Sequence, residues 1–169
     1  MSEASVQKMR VSGILLSVLV LIVGALLGLW MAAGRALFGA GGDLVPILMY
    51  SMLPAFVVVQ FVIAVFLLKT VLAGYRIHAR TIVFIFLSWM AALGFGFMVP
   101  DSVQGELVSA FSKLVDPNGL DGTAIEFAIG FSNPLGILSI GLSVVAAVLA
   151  WVDSRGRRLP SRNPYENLS

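Results

Sequence analysis

Four apolar runs divide the chain: residues 11–34, 44–68, 81–99 and 127–152, of 24, 25, 19 and 26 residues, none containing Lys, Arg, Asp or Glu. A helix rises 1.5 Å per residue, so about 20 residues cross a hydrocarbon core roughly 30 Å thick. Each run is read as a membrane-spanning helix. The link at residues 35–43 is a short Gly-rich turn that cannot hold a domain, so the second run returns antiparallel to the first. The third run starts after a polar island at residues 69–80, which carries Lys69, Arg76, Arg80 and the only histidine, His78. Two hairpins joined by this island give an all-α, polytopic membrane protein with four transmembrane helices. A secretory signal is the competing reading of the first run, but signal cores extend over only about 7 to 15 residues. An uncleaved anchor is expected.

Proline interrupts two of the runs. Pro54 lacks an amide donor and its ring meets the carbonyl of Tyr50, which predicts a kink near residues 50–54. Ser132-Asn133-Pro134 is expected to break the fourth run in its first half in the same way. Between the third and fourth runs, residues 100–126 form the one link large enough for structure of its own. There Val103, Leu107, Val108, Phe111, Leu114 and Val115 share one side at 100° per residue, opposite Glu106, Ser109, Ser112 and Lys113. With Asp101 as its cap, this reads as an amphipathic helix of about 14 residues lying on the outer face, too short to span. Residues 1–10 are a polar N-terminus. Residues 153–169 are a basic tail without apolar periodicity, expected to be disordered.

Composition agrees with lipid as the solvent. The chain is 59% hydrophobic and 12% charged, where a water-soluble domain carries about 25% charged residues. The position of the charges says more than their net value of +2. Assigning links to alternate sides puts Lys8, Arg10, Lys69, Arg76, Arg80, Arg155, Arg157, Arg158 and Arg162 on one side and Arg35 and Lys113 on the other. Nine cations against two is a positive-inside bias. It predicts that both termini and the 69–80 turn are cytoplasmic. Short loops and the Ala, Gly, Val and Leu content point to the inner membrane of a bacterium.

Small residues recur every fourth position in two runs: Gly24, Gly28 and Ala32 in the first, and Ser88, Ala92 and Gly96 in the third. Such spacing lets helix backbones approach closely, which matters where lipid removes the hydrophobic drive to associate. These are helix-packing seams, within the chain or toward a partner. Paired proline breaks in equivalent helices also point to a solute site near mid-membrane. Ser51, Pro54, Gln60, Ser132, Asn133 and Pro134 would form it, although no acidic residue is present there to couple ions. Arg155, Arg157, Arg158 and Arg162 are placed to contact lipid headgroups.

Other chemistry finds little support. His78 has no neighbouring His, Cys or carboxylate at ligand spacing, and the chain has no cysteine. Residues 116–122 look superficially like a calcium loop, but Leu120 stands where an acidic ligand belongs and the closing acid is missing. No catalytic, metal or cofactor constellation is read, and no nucleic acid is implied. The expected partners are the bilayer and other membrane subunits or a second copy. The leading expectation is a non-enzymatic accessory or scaffolding subunit of a membrane complex. The alternative is a small transporter or channel component using the Pro54 and Asn133-Pro134 breaks.

Overall fold

The computed structural model describes residues 3–119 and 122–156. Helix α1 (Glu3–Ala33) leads through a 3₁₀ turn (Gly34–Phe38) to α2 (Leu44–Tyr50) and α3 (Met52–Leu72). After the 69–80 turn come α4 (Ala79–Met98), strands β1 (Asp101–Val103) and β2 (Glu106–Val108), the short α5 (Ala110–Val115) and the long α6 (Thr123–Ser154). The fold is mostly helical, and four helical stretches are long and apolar enough to cross a membrane: Val11–Phe38, Leu44–Leu72, Ala79–Met98 and Thr123–Ser154. That pattern fits a multi-pass membrane protein.

Helix α1 packs on α3 and α4 on α6, the two hairpins of the bundle, and the α3–α6 and α1–α4 contacts close the ring. Two apolar clusters fill it. Val20, Ile63, Leu67, Ile85 and Ala146 form one near the 69–80 turn, and Leu27, Met31, Phe56, Ala92 and Phe95 form the other toward the β1–β2 end. On α6 the size distribution is inverted relative to a soluble core. The side of α6 facing the bundle consists of Ala124, Ala128, Ser132, Gly136, Ser139, Ser143, Ala146 and Ala150, while Ile129, Ile137, Leu138 and Val148 point outward. Small residues inside let backbones approach, and large apolar ones outside suit a hydrocarbon solvent. Water would strongly disfavour so extensive an apolar surface.

Three expectations are corrected. Helix α6 runs from Thr123 to Ser154 without interruption, so Ser132-Asn133-Pro134 does not break it. Pro134 costs the helix one backbone bond, the one to the Gly130 carbonyl, and 32 residues of otherwise continuous helix absorb it; the Ser132 hydroxyl meanwhile turns back on its own helix, to the Ile129 carbonyl at 3.1 Å. Pro54 behaves differently: the helix is interrupted at Ser51, between α2 and α3, as the clash with the Tyr50 carbonyl predicts.

The amphipathic helix over residues 103–115 is replaced by an antiparallel hairpin, pairing Asp101 with Val108 and Ser102 with Leu107, followed by one turn and a half of α5. Gln104 and Gly105 both have positive φ, 56° and 86°, the geometry of a tight hairpin turn and one that ends any helix. Helix α5 starts at Ser109 instead, whose hydroxyl accepts from the Ser112 N–H at 2.9 Å, while Ser112 Oγ accepts from the Ser109 N–H. Phe111 then docks α5 on α6, with its ring centroid 5.6 Å from that of Phe127.

The third correction concerns residues 35–43. They are more than a Gly-rich turn: Arg35 lies in the 3₁₀ turn, fully buried. At the other end, helix α1 extends back to Glu3, through the segment read as a polar N-terminus. Of the tail read as residues 153–169, Asp153 and Ser154 belong to the last turn of α6 and Asp153 is buried; residues 157–169, with Arg157, Arg158 and Arg162, lie outside the described residues.

Candidate functional site

Polar groups inside an apolar bundle are costly unless partnered, so those present mark what the fold was built to hold. They occur at three levels. At the β1–β2 end, Asp101 is withdrawn from solvent and gathers donors from the α1–α2 link and from its own neighbour Ser102. Its Oδ2 accepts from the Gly42 N–H at 2.7 Å and from Arg35 Nε at 3.0 Å, and its Oδ1 accepts from the Leu44 N–H at 3.0 Å and the Ser102 N–H at 2.8 Å. Arg35 Nη2 lies 2.9 Å from Oδ2, and both side chains are 0% exposed.

Burial opposes ionisation of Asp101, but the Leu44 and Gly42 amides and the Arg35 guanidinium outweigh it and hold the carboxyl below its ordinary value. Gly42 has to be glycine, because a Cβ there would collide with the Ser102 carbonyl. This clasp fastens the α1–α2 link to the end of α4. Among the described residues, Arg35 Nη1 has no hydrogen-bond partner.

At the opposite end Asp153, in the last turn of α6, receives the start of α4. Its Oδ2 accepts from Thr81 Oγ1 at 2.7 Å and from the His78 N–H at 3.1 Å, and its Oδ1 accepts from His78 Nδ1 at 2.7 Å. Arg80 Nη2 stands 3.6 Å away. No side chain caps α4 locally; its start is tied down instead by this carboxylate from α6, whose negative charge suits a helix N-terminus.

Between the two apolar clusters runs a polar layer. Gln60 is buried in α3, its Nε2 donating to Ser143 Oγ at 3.0 Å, while Ser143 Oγ donates to the Ser139 carbonyl at 2.8 Å. Trp89 Nε1 lies 3.4 Å from Gln60 Oε1, a long contact. The amide is thus shared by α3, α4 and α6.

The residues read as a solute site are not gathered around this layer. Gln60 and Ser132 are buried, whereas Ser51, Pro54, Asn133 and Pro134 are exposed, Ser51 turning its hydroxyl to the Ile47 carbonyl at 2.7 Å. The seams lie within the bundle. A Cβ on Gly24 would come within 2.6 Å of the Gln60 side chain, Gly28 faces Val57, and Ala32 is buried. On α4, Ser88 and Ala92 are buried and Gly96 accommodates the Trp30 indole, whose Nε1 donates to the Leu93 carbonyl at 3.0 Å. Of the four headgroup arginines only Arg155 is described; it is exposed, its guanidinium carbon 4.0 Å from the Trp151 ring centroid.

Reading the sequence missed both clasps and the third seam. The small-residue spacing from Ala124 through Ala128, Ser132 and Gly136 is a signal that was present in the sequence. Asp101 and Asp153 gave no such signal, since each finds its partners 57 to 75 residues away. Among the described residues no three His, Cys, Asp or Glu side chains converge in a way that could hold a metal ion. Compared with protein-family models, with curated proteins and with solved structures, the chain matches none of them.

Proposed function

We propose that the chain is a multi-pass protein of a bacterial inner membrane, with both termini and the 69–80 turn cytoplasmic, serving as a non-enzymatic accessory or scaffolding subunit of a membrane complex. The observation that carries this reading is the division of labour in the bundle. The polar side chains buried within it are engaged almost entirely with one another and with the backbone, while large apolar side chains such as Leu15, Ile22, Leu26, Val58 and Phe86 are left facing outward. A rigid body with an apolar exterior suits lipid and neighbouring helices. The distribution of nine cations against two supports the orientation. Since α3 occupies the Gly24 and Gly28 seam, a partner subunit would meet the outward faces instead.

The chain's lack of cysteine makes the orientation directly testable. Arg76→Cys should react with a membrane-impermeant maleimide only in inverted vesicles, and Glu106→Cys only in intact spheroplasts; the reverse pattern would refute the orientation. For the role, affinity purification in mild detergent should recover defined membrane proteins in fixed ratio. Recovery of the chain alone would rule out a subunit role.

A further inference from the structure

Helices α3 and α6 run parallel, both ending beside the 69–80 turn, because α4 starts at that turn and its first residues bind Asp153 at the end of α6. Between them lies an open groove of about 280 Å³ walled by apolar side chains, among them Val58, Val62 and Phe66 of α3 and Val144, Val148 and Trp151 of α6. From Val58 to Phe66 the groove extends about 12 Å along the helix axis. Its two aromatic walls carry cations. Lys69 Nζ stands 5.7 Å from the Phe66 ring centroid, and the Arg155 guanidinium carbon 4.0 Å from that of Trp151.

Cation–π contact holds both charges at the same end of the groove. Both side chains are exposed, and neither forms an ion pair with another described residue. The nearby carboxylate, Asp153, is buried and already taken by His78, Thr81 and Arg80. An apolar channel whose mouth carries positive charge unpaired among the described residues is complementary to an acyl chain ending in an anionic phosphate.

We infer that the α3–α6 groove is a binding site for an anionic phospholipid of the leaflet at the 69–80 end, its acyl chain lying along Val58, Val62, Val144 and Val148 and its phosphate held by Lys69 and Arg155. The site rests on the membrane reading above. A second groove supplies an internal control. It is similar in size, about 290 Å³, and lies along Leu26, Leu29, Trp30 and Leu37. The neighbouring cation, Arg35, is buried against Asp101. It should take lipid tails without preference for headgroup charge.

The test uses the full chain purified in mild detergent, offered equal amounts of phosphatidylglycerol and phosphatidylcholine, with retained lipid read by native mass spectrometry. Phosphatidylglycerol should be retained in preference, and each of Lys69→Gln and Arg155→Gln should lower that preference about fivefold, the usual effect of one basic residue at a charged membrane surface. Brominated phosphatidylglycerol in vesicles should quench Trp151 fluorescence more than brominated phosphatidylcholine does, the Trp151→Phe chain giving the baseline.

Equal retention of the two lipids overturns the inference. So does a preference that survives Lys69→Gln with Arg155→Gln and disappears only when Arg157, Arg158 and Arg162 are neutralised. Cross-linking of two copies through Val62→Cys, with lipid excluded, would assign the groove to a second copy and also overturn it. Flotation with vesicles separates the two levels. A chain that fails to float contradicts the membrane reading itself, whereas one that floats without headgroup preference contradicts only the lipid site.

Discussion

The two ends of the bundle use the same device in opposite settings. At each, one carboxylate collects donors from a distant part of the chain: Asp101 from Arg35, Gly42 and Leu44, and Asp153 from His78 and Thr81. The partners differ in exposure. Arg35 is sealed with Asp101, both at 0%, whereas the His78 and Arg80 side chains are 56% and 53% exposed around a fully buried Asp153. A sealed pair cannot exchange its partner for water, so losing one member leaves a bare charge; an open pair can rehydrate. The β1–β2 end should therefore be the less tolerant of losing a partner, and the end next to the 69–80 turn the more tolerant.

Asp101→Ala should produce the largest loss, about 3–5 kcal/mol, because it strands the Arg35 guanidinium in an apolar site. Thermal unfolding in detergent reads it, and Arg35→Met with Asp101→Leu should recover only the part due to the stranded guanidinium, since the Gly42, Leu44 and Ser102 N–H groups still lose their acceptor. If the single substitution leaves the midpoint unchanged, the clasp is not what fixes this end.

Acid should bring on a smaller version of the same loss. The folded carboxyl sits below its ordinary value of 3.8, so its contribution is complete at neutral pH and persists down to about that point. It then falls as the pH drops through the folded value, where the unfolded chain holds the proton more readily. Asp101→Asn should flatten this acid limb; an unchanged limb would place the titration elsewhere.

At the open end Asp153→Ala should cost about 1.5–3 kcal/mol, the range for hydrogen bonds to a charged group. Faster hydrogen exchange should be confined to the start of α4 around His78 to Thr81. A change spread to Asp101 would mean that the two ends are coupled. Midway, Gln60→Leu should have the smallest effect, about 0.6 kcal/mol as for an average interhelical hydrogen bond in a membrane, and it should loosen neither end. A loss equal to that of Asp101→Ala would make the polar layer the organising feature instead.

How far the fold could be read from the chain depended on how local the cause was. The four helices were legible because an uncharged run near 20 residues has few other ways to satisfy its backbone in lipid. The Gly24 and Gly28 seam was legible too, since its spacing is set within one helix. The 103–115 segment was misread because its apolar residues suit a helix at 100° per residue, while the deciding feature was the Gln104-Gly105 turn at its centre. Pro134 reads as a break when one side chain is weighed alone, whereas the helix that carries it is 32 residues long and packed on α3 and α4. Asp101 looked like a cap for the residues that follow it and instead serves a turn 57 residues earlier.

The sequence by itself determined where the apolar helices lie, that they pair as hairpins, and how cations divide between the two sets of links, because each follows from composition along a short stretch. Only the tertiary structure decided which polar groups meet. Arg35 with Asp101, His78 with Asp153, Gln60 with Ser143, and the two cations above the α3–α6 groove are juxtaposed by the order of helices around the ring. That order is settled by packing among all four helices, and no single stretch of the chain contains it.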